Sequence, residues 1–283
     1  MRIGFLSDLH RDRWYLADPA DLLAEIAHEK RLDYLVLSGD TAPGADAALD
    51  FCRRLDAAMP AKLRIVAGNH DIYVPDIKGR TPAQIRAEST AFYTRITYES
   101  DYSLLLHPIV TPRWFITGLG GWYDYSFAPG YPQVDLDRIS RARAARWFWS
   151  DNRRVRGGCF DYRIDVARVE EDIRTLRAVL TSSAAAGRRK CAVTHMLPTR
   201  ALAHSIPLPG YGGILPLLGS ERYRDLYEEL GVSLCICGHT HFPLRRRIGE
   251  VCYANVSLPP LPLRRHPFSP KREMMRIMLI LEG

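Results

Sequence analysis

The apolar run at residues 34–37, which stops abruptly at Gly39 and Asp40, constrains the fold of this chain more than any other segment. A short continuous apolar run predicts a central strand that is covered on both faces of its sheet. Gly39 allows the backbone to turn sharply directly after that strand. Ligands of open α/β sheets bind at the carboxyl ends of strands, so Asp40 is a candidate for the centre of a functional site. A Gly-Asp pair after a strand is also a common plain turn, so this signal alone does not decide the matter.

The same arrangement recurs along the chain. Strands that end before polar side chains are predicted at residues 2–6, 34–37, 63–67, 190–194 and 234–237. Helices are predicted at 19–30, 45–59, 81–97, 166–186 and 221–230, and further β segments at 102–106, 114–119, 245–248, 251–255 and 275–281. This alternation indicates parallel strands joined by crossover helices, which place the strand ends at one edge. The polar residues at these ends are Asp8, His10, Asp40, Asn69, His70, His195, His239 and His241.

Composition is that of an ordinary globular protein. The chain has 283 residues, of which 47% are apolar and 25% are charged, which suffices for a substantial core. No N-terminal signal segment and no apolar run long enough to span a bilayer is visible, so a cytoplasmic location is expected. The formal charge of +7 favours an anionic partner without distinguishing a nucleotide, a nucleic acid and a lipid headgroup. Six cysteines without framework spacing favour free thiols over disulfides or a zinc site.

As an ordered set, the motifs at the strand ends resemble those of the calcineurin-like metallophosphoesterase superfamily. They are Asp8-x-His10, Gly39-Asp40, Gly68-Asn69-His70-Asp71, His195 and Gly238-His239-x-His241. The resemblance implies an α/β fold, namely a four-layer α/β/β/α sandwich of two mixed sheets with flanking helices. It also implies a dinuclear metal site at one edge of that sandwich. The motifs extend over most of the chain, which we interpret as one domain of residues 1–283.

The resemblance further implies a role for each residue of the motifs. One metal would be held by Asp8, His10 and His241, the other by Asn69, His195 and His239, and Asp40 would bridge both. His70 would lie near the substrate and act in catalysis without binding a metal. Asp71 could either orient the imidazole of His70 or cap a turn.

Elementary electrostatics agrees with a phosphate-binding centre. Two divalent cations bring four positive charges, while Asp8, Asp40 and a bridging hydroxide return three. Metals ~3.5 to 4 Å apart can activate water on one side and hold the phosphoryl oxygens as charge develops. Imidazole, carboxylate and amide ligands without thiolates favour Mn, Fe, Zn or Co over Ca. The predicted chemistry is in-line attack on phosphorus by the metal-bridging hydroxide.

These observations favour a phosphodiesterase, because two metals and a neighbouring imidazole can stabilise the leaving oxygen. A phosphomonoesterase or a nuclease on the same site is an alternative, as is a non-catalytic binding module of the same fold. The complete set of ligands together with His70 argues against a mere binding module. Nucleic acid is not favoured as a partner, because no additional DNA-binding domain is recognisable. The expected substrate is a phosphorylated small molecule or a nucleotide.

An aromatic and arginine-rich segment at about residues 121–158 interrupts the alternation of strands and helices. We expect an insertion that caps the site and selects the substrate. Aromatic rings can stack on a base and guanidinium groups bind phosphate, so the expected contacts are Tyr123, Tyr125 and Arg143. A helix is predicted over residues 137–150. The alternative is a packed helix with a solvated basic face.

Overall fold

Two mixed β-sheets with helices on their outer faces form the layers of this computed structural model. The structure describes residues 1–11, 19–141, 149–203, 213–259 and 269–283. The strands are β1 (Arg2–Leu6), β2 (Tyr34–Leu37), β3 (Lys62–Ile65), β4 (Ile109–Val110), β5 (Trp114–Gly118), β6 (Arg189–Val193), β7 (Val232–Cys237), β8 (Leu244–Ile248), β9 (Val251–Asn255) and β10 (Leu279–Glu282). The helices are α1 (Pro19–Glu29), α2 (Ala45–Ala58), α3 (Pro82–Thr94), α4 (Leu136–Ser140), α5 (Ser150–Arg154), α6 (Tyr162–Leu180), α7 (Arg200–Ala203), α8 (Glu221–Glu229) and α9 (Pro270–Ile277). The expected four-layer α/β/β/α sandwich is confirmed.

The direction of the strands explains why the polar loops collect at one edge. The first sheet has the order β10-β1-β2-β3, in which β1, β2 and β3 are parallel and β10 is antiparallel to β1. The second sheet has the order β4-β5-β6-β7-β9-β8, with β5, β6, β7 and β9 parallel. Strands β4 and β8 are antiparallel to their neighbours. Parallel strands deliver their carboxyl ends to the same edge of each sheet.

The central strand β2 is buried on both faces, as its unbroken apolar run predicts. Leu35, Val36 and Leu37 are each 0% exposed. Helices α1, α2 and α9 pack together beside the first sheet, and α6 and α8 pack against the second. A continuous cluster of buried apolar side chains includes residues of both sheets, so the loops at the edge have a rigid base. None of the helices in the described ranges is long and apolar enough to cross a membrane.

The last strand begins later than predicted, because a helix precedes it. The predicted β segment at 275–281 starts inside α9, and β10 follows only at Leu279. Ser269 caps α9 by accepting a hydrogen bond from the Arg272 backbone, and Pro270 occupies the first turn. A serine followed by proline is a helix-start signal, which the apolar residues after it obscured.

Two other predicted elements are also wrong. The segment at 102–106 is not a strand of the second sheet; it makes one isolated bridge, from Ser103 to Ile65 beside the first sheet. Ser103 Oγ donates to Thr97 O and accepts from Leu106 N, and such local bonds compete with sheet pairing. The helix predicted over 137–150 is not continuous. Helix α4 ends at Ser140 and Trp149 has an extended backbone, while residues 142–148 lie outside the described residues.

Candidate metal centre

The loops that carry the expected ligands have an unusual backbone. Asp8, His10, Asp40, His239 and His241 all have positive φ values, between 44° and 76°. For residues other than glycine this left-handed region is uncommon, and it persists where the surrounding structure holds it in place. The strained turns follow directly after the strands and bring the side chains of neighbouring loops together.

These loops approach each other so closely that several positions require glycine, and Gly68 and Gly238 are two of them. A Cβ atom at Gly68 would lie 2.2 Å from the backbone nitrogen of Asp40, and one at Gly238 would lie 2.0 Å from Ser7 Oγ. Gly68 therefore lets the loop after β3 pack against the loop after β2. Gly238 does the same at the junction of the two sheets. There the backbone N–H of His239 donates to Asp8 Oδ2 at 2.9 Å.

Asp8, His10 and His241 form the first half-site. His10 Nε2 and His241 Nε2 are 3.1 Å apart, and Asp8 Oδ1 lies 3.9 Å and 3.5 Å from these two nitrogens. Asp8 and His10 follow β1 of the first sheet, whereas His241 follows β7 of the second. Asp8 Oδ1 is buried and receives no hydrogen bond within the described residues, which is costly for a carboxylate unless a cation lies beside it.

Asn69, His195 and His239 form the second half-site. Asn69 Oδ1 lies 3.0 Å from His195 Nε2 and 3.1 Å from His239 Nδ1, and these two nitrogens are 3.2 Å apart. Asn69 follows β3 of the first sheet, while the two histidines follow β6 and β7 of the second. Each half-site therefore takes its side chains from both sheets.

Asp40 lies between the two half-sites. Its Oδ2 is 3.5 Å from His10 Nε2 in the first half-site, and its Oδ1 is 3.3 Å from His195 Nε2 in the second. The Asp40 side chain is only 2% exposed. One buried carboxylate thus presents one oxygen to each group of candidate ligands.

Hydrogen bonds to backbone carbonyls fix the tautomers of two histidines. His195 Nδ1 donates to Ser38 O at 2.9 Å, and His241 Nδ1 donates to Leu258 O at 2.8 Å. A carbonyl oxygen only accepts, so the lone pair of each ring is on Nε2, which faces its half-site. Imidazole lone pairs together with carboxylate and amide oxygens suit divalent transition metals. The residues present therefore fit a metal ion in either half-site.

The electrostatics of this centre also favours a bound cation. Burial raises the pKa of Asp40 well above its usual range, and the carboxylates of Asp8 and Asp71 raise it further. Burial lowers the pKa of His239 well below its usual range, and neighbouring imidazoles add to the effect. His239 is therefore held in the neutral form that binds metals, while the charged form of the clustered carboxylates needs a positive partner.

Comparison with known proteins identifies the family. The family model for calcineurin-like phosphoesterases matches residues 1–243, a range that includes both half-sites and Asp40. The chain belongs to the calcineurin-like phosphoesterase family. This phosphoesterase is accordingly a hydrolase of phosphoester bonds in a family that uses divalent metal ions.

Solved structures are similar in fold. The crystal structure of phosphopantetheinyl hydrolase from Mycobacterium tuberculosis superposes with a TM-score of 0.69 and 20% identity, over 99% of this chain and 95% of that chain. A dimetal phosphatase from Danio rerio superposes with a TM-score of 0.50 and 15% identity, over 90% of this chain and 86% of that chain. At these identities the likeness shows the fold. A search of curated proteins found no match.

His70 lies at the open side of the phosphoesterase centre. Its Nε2 is 3.9 Å from Asp40 Oδ2, and its side chain is 20% exposed. Both carboxylate oxygens of Asp71 accept backbone hydrogen bonds, from the N–H groups of Thr41, Ala42 and Gly68 at 2.8 to 3.0 Å. Burial raises the pKa of Asp71 to about 6, against the effect of these hydrogen bonds. Of the two roles considered for Asp71, the structure supports the turn cap.

The tyrosines expected to contact the substrate are in the interior. Tyr123 and Tyr125 are each 0% exposed. Tyr125 Oη donates to Asp165 Oδ2 of α6 at 2.5 Å, and the Tyr123 ring stacks on Trp122. The structure contradicts the expectation that these two rings face a substrate, because both are buried in the hydrophobic core. Arg143 lies outside the described residues.

Three residues beside the centre were missed by sequence reasoning: Tyr73, Trp149 and Asp151. The ring of Tyr73 packs against His70 with centroids 4.3 Å apart, and the ring of Trp149 meets His239 edge-on at 5.5 Å. Asp151 accepts a hydrogen bond from the side-chain nitrogen of Asn69 in the second half-site. Tyr73 follows the third motif by only a few residues and could have been found there. Trp149 belongs to the aromatic segment described above, but nothing local distinguishes it from the other rings there, and nothing local marks Asp151.

Proposed function

We propose that this phosphoesterase hydrolyses phosphodiesters at a dinuclear metal centre, with one metal in each half-site and Asp40 bridging them. The position of Asp40 carries the proposal, because its two oxygens face ligands of different half-sites at 3.5 Å and 3.3 Å. Two divalent cations bound there would supply an activated water and neutralise the phosphoryl oxygens. The donor set favours Mn, Fe, Zn or Co, and a cytoplasmic location remains part of the prediction.

The exposure of the side chains indicates how a substrate reaches the centre. The side chains of His70 and His241 are 20% and 22% exposed, whereas Asp8 and His195 are 0% exposed. A phosphate group therefore approaches from the side of the first two histidines. His70 is then placed to give a proton to the leaving oxygen, which is most useful for a diester with a poor leaving group. Hydrolysis of phosphomonoesters is the alternative on the same site.

The insertion remains the proposed source of substrate selectivity, but through different residues. Trp149 is only partly buried and lies against the second half-site, so it replaces the two buried tyrosines as an aromatic contact. Arg143 stays a predicted contact for a phosphorylated small molecule or nucleotide. The full-length similarity to phosphopantetheinyl hydrolase adds a phosphopantetheinyl ester to the candidate substrates.

A reconstitution experiment tests the proposed function. Metal-stripped protein is loaded separately with Mn, Fe, Zn or Co, and metal per chain is measured together with hydrolysis of bis(p-nitrophenyl) phosphate and p-nitrophenyl phosphate. The natural-substrate panel comprises cyclic nucleotides, phospholipid headgroups, a nucleic acid and a phosphopantetheinyl ester. We expect two metals per chain and diester turnover that a chelator abolishes. Faster turnover of the monoester, or less than one metal per chain, would contradict the proposal.

A further inference from the structure

Helix α5 of the insertion reaches the back of the second half-site. Asp151 in this helix is 0% exposed, and its Oδ1 accepts a hydrogen bond from Asn69 Nδ2 at 2.8 Å. The same oxygen accepts a second hydrogen bond from Tyr73 Oη at 2.6 Å. Asn69 Nδ2 also lies 3.0 Å from Tyr73 Oη, so the three side chains form a closed group. This group is buried and shielded from competition with water.

The chemistry of the group determines how the amide of Asn69 is oriented. An amide has an oxygen that accepts and a nitrogen that donates, and only the oxygen is a metal ligand. A carboxylate only accepts, so the Asn69 nitrogen must face Asp151. The Asn69 oxygen then faces the opposite way, toward His195 Nε2 at 3.0 Å and His239 Nδ1 at 3.1 Å. A flipped amide would place its oxygen against the carboxylate of Asp151, and the two would repel each other.

Helix α5 is itself anchored to the segment that follows the third motif. The backbone N–H of Val74 donates to Arg154 O at 3.0 Å. The Arg154 guanidinium donates in return to Val74 O and Pro75 O, at 3.1 Å and 2.8 Å. These contacts fix the distance between α5 and the loop that carries Asn69. The insertion therefore supports the loop that carries Asn69, on the side away from the other side chains of the half-site.

We propose that Asp151 is a positioning residue of the second half-site, which holds the Asn69 amide with its oxygen toward the metal position. The role rests on the proposed dinuclear function. This role gives the insertion a task other than substrate selection. Asp151 belongs to the insertion and lies 82 positions from Asn69 in the sequence, yet it sets the orientation of the Asn69 amide.

Manganese binding by metal-stripped protein provides the test. Wild type, Asp151→Leu and Asp165→Leu are titrated with Mn²⁺ by calorimetry, and the loaded proteins are compared by electron paramagnetic resonance. Leucine occupies a similar space but accepts no hydrogen bond. Asp165→Leu is the matched control, since this buried acid accepts from Trp122 Nε1 and Tyr125 Oη at the other end of the insertion.

In Asp151→Leu we expect one of the two Mn²⁺ affinities to fall about 10- to 100-fold while the other stays unchanged. The resonance signal of a coupled manganese pair should give way to that of a single ion at metal concentrations that saturate wild type. Asp151→Asn, which keeps one acceptor oxygen, should recover part of the affinity. Asp165→Leu should bind both ions as wild type does, even if its melting temperature falls.

Wild-type affinities in Asp151→Leu, or an equal loss in Asp165→Leu, would overturn the positioning role alone. Wild type that binds a single Mn²⁺ would overturn the dinuclear function and the inference with it. If Asp151→Leu does not fold, Asp151→Ala takes its place, because water can fill the smaller gap. For Asp151→Ala we expect the same loss of affinity at one site, and wild-type affinities would again overturn the positioning role.

Discussion

The two half-sites are built on the same kind of loop but differ in charge and in enclosure. The first contains the carboxylate of Asp8 and opens to solvent at His241, whose side chain is 22% exposed. The second contains the neutral donors Asn69, His195 and His239, and His195 is fully buried. The negative charge of Asp8 attracts a cation to the first half-site even where the geometry of the ligands is not ideal. The second half-site depends on the accurate placement of neutral ligands, which is where buried supporting residues matter most.

Removing Asp40 should have the largest effect, because in the proposed centre one carboxylate serves both half-sites. Without it, two bound cations would also repel each other with nothing between them. We expect Asp40→Ala, reconstituted with Mn, to hold less than one metal per chain by elemental analysis and to lose phosphodiesterase activity. A larger loss of metal in His241→Ala than in Asp40→Ala would show that Asp40 does not bridge.

A matched pair of histidine variants separates the half-sites directly. His239 and His241 lie in one loop, and each is a proposed imidazole ligand of a different half-site. We expect His241→Ala and His239→Ala each to keep one metal. The ion that remains in His239→Ala lies beside Asp8 and should bind about tenfold or more tightly than the ion in His241→Ala, as measured by calorimetry. Equal metal affinities in His239→Ala and His241→Ala would show that the charge of Asp8 does not make the first half-site bind more tightly.

His70 lies outside both half-sites and should affect the rate without affecting the metals. General acid catalysis typically contributes ~100- to 10,000-fold, so His70→Gln should lower kcat by about that factor with unchanged metal content. His28→Ala, which removes an exposed histidine from α1, is the control. If His70→Gln lost a metal together with its activity, His70 would belong to the first half-site, beside His10.

The smallest predicted effect is on the pH dependence of the free energy of unfolding, and it distinguishes the acids of the centre from an acid outside it. Asp172 is buried on α6 and accepts hydrogen bonds from two tyrosines, and burial raises its pKa to about 6 from an ordinary 3.8. The folded chain therefore binds this proton more tightly than the unfolded chain. The corresponding stability is present below about pH 4 and is lost as the pH rises to about 6, by roughly 3 kcal/mol.

Urea unfolding at pH 4.5 and pH 6.5 checks this dependence. Asp172→Asn should flatten it equally in metal-free and metal-loaded protein. Loading with metal should instead remove the part of the pH dependence that comes from Asp40. Burial raises the pKa of Asp40 as well. A profile that does not change in Asp172→Asn would show that this acid is already ionised in the folded chain.

The grouping of these side chains could be predicted from the sequence because its information is local. Each proposed ligand stands within a few residues of the end of a strand, and the strand is visible as an apolar run. Asp40 after β2 and His195 after β6 are examples. The topology of parallel strands then brings together loops that are far apart in the chain. The layers of the fold follow from the same alternation of strands and helices.

The insertion could not be predicted in this way, because its contacts are long-range. Tyr125 is paired with Asp165, 40 positions away, and Asp151 with Asn69, 82 positions away. Aromatic composition does not distinguish a ring that binds a ligand from a ring that fills a core. Burial of Tyr123 and Tyr125 decided that question, and only tertiary structure supplies it.

The distribution of each half-site over both sheets has a consequence for the biogenesis of the protein. His10 and His241 are separated by 231 positions, and Asn69 and His195 by 126. Neither half-site is complete until the chain has left the ribosome beyond residue 241 and the two sheets have docked. We therefore expect metal binding to follow the docking of the two sheets, unlike zinc binding in a finger domain, which drives folding. If that order holds, a chain that ends before β7 should acquire no metal in either half-site.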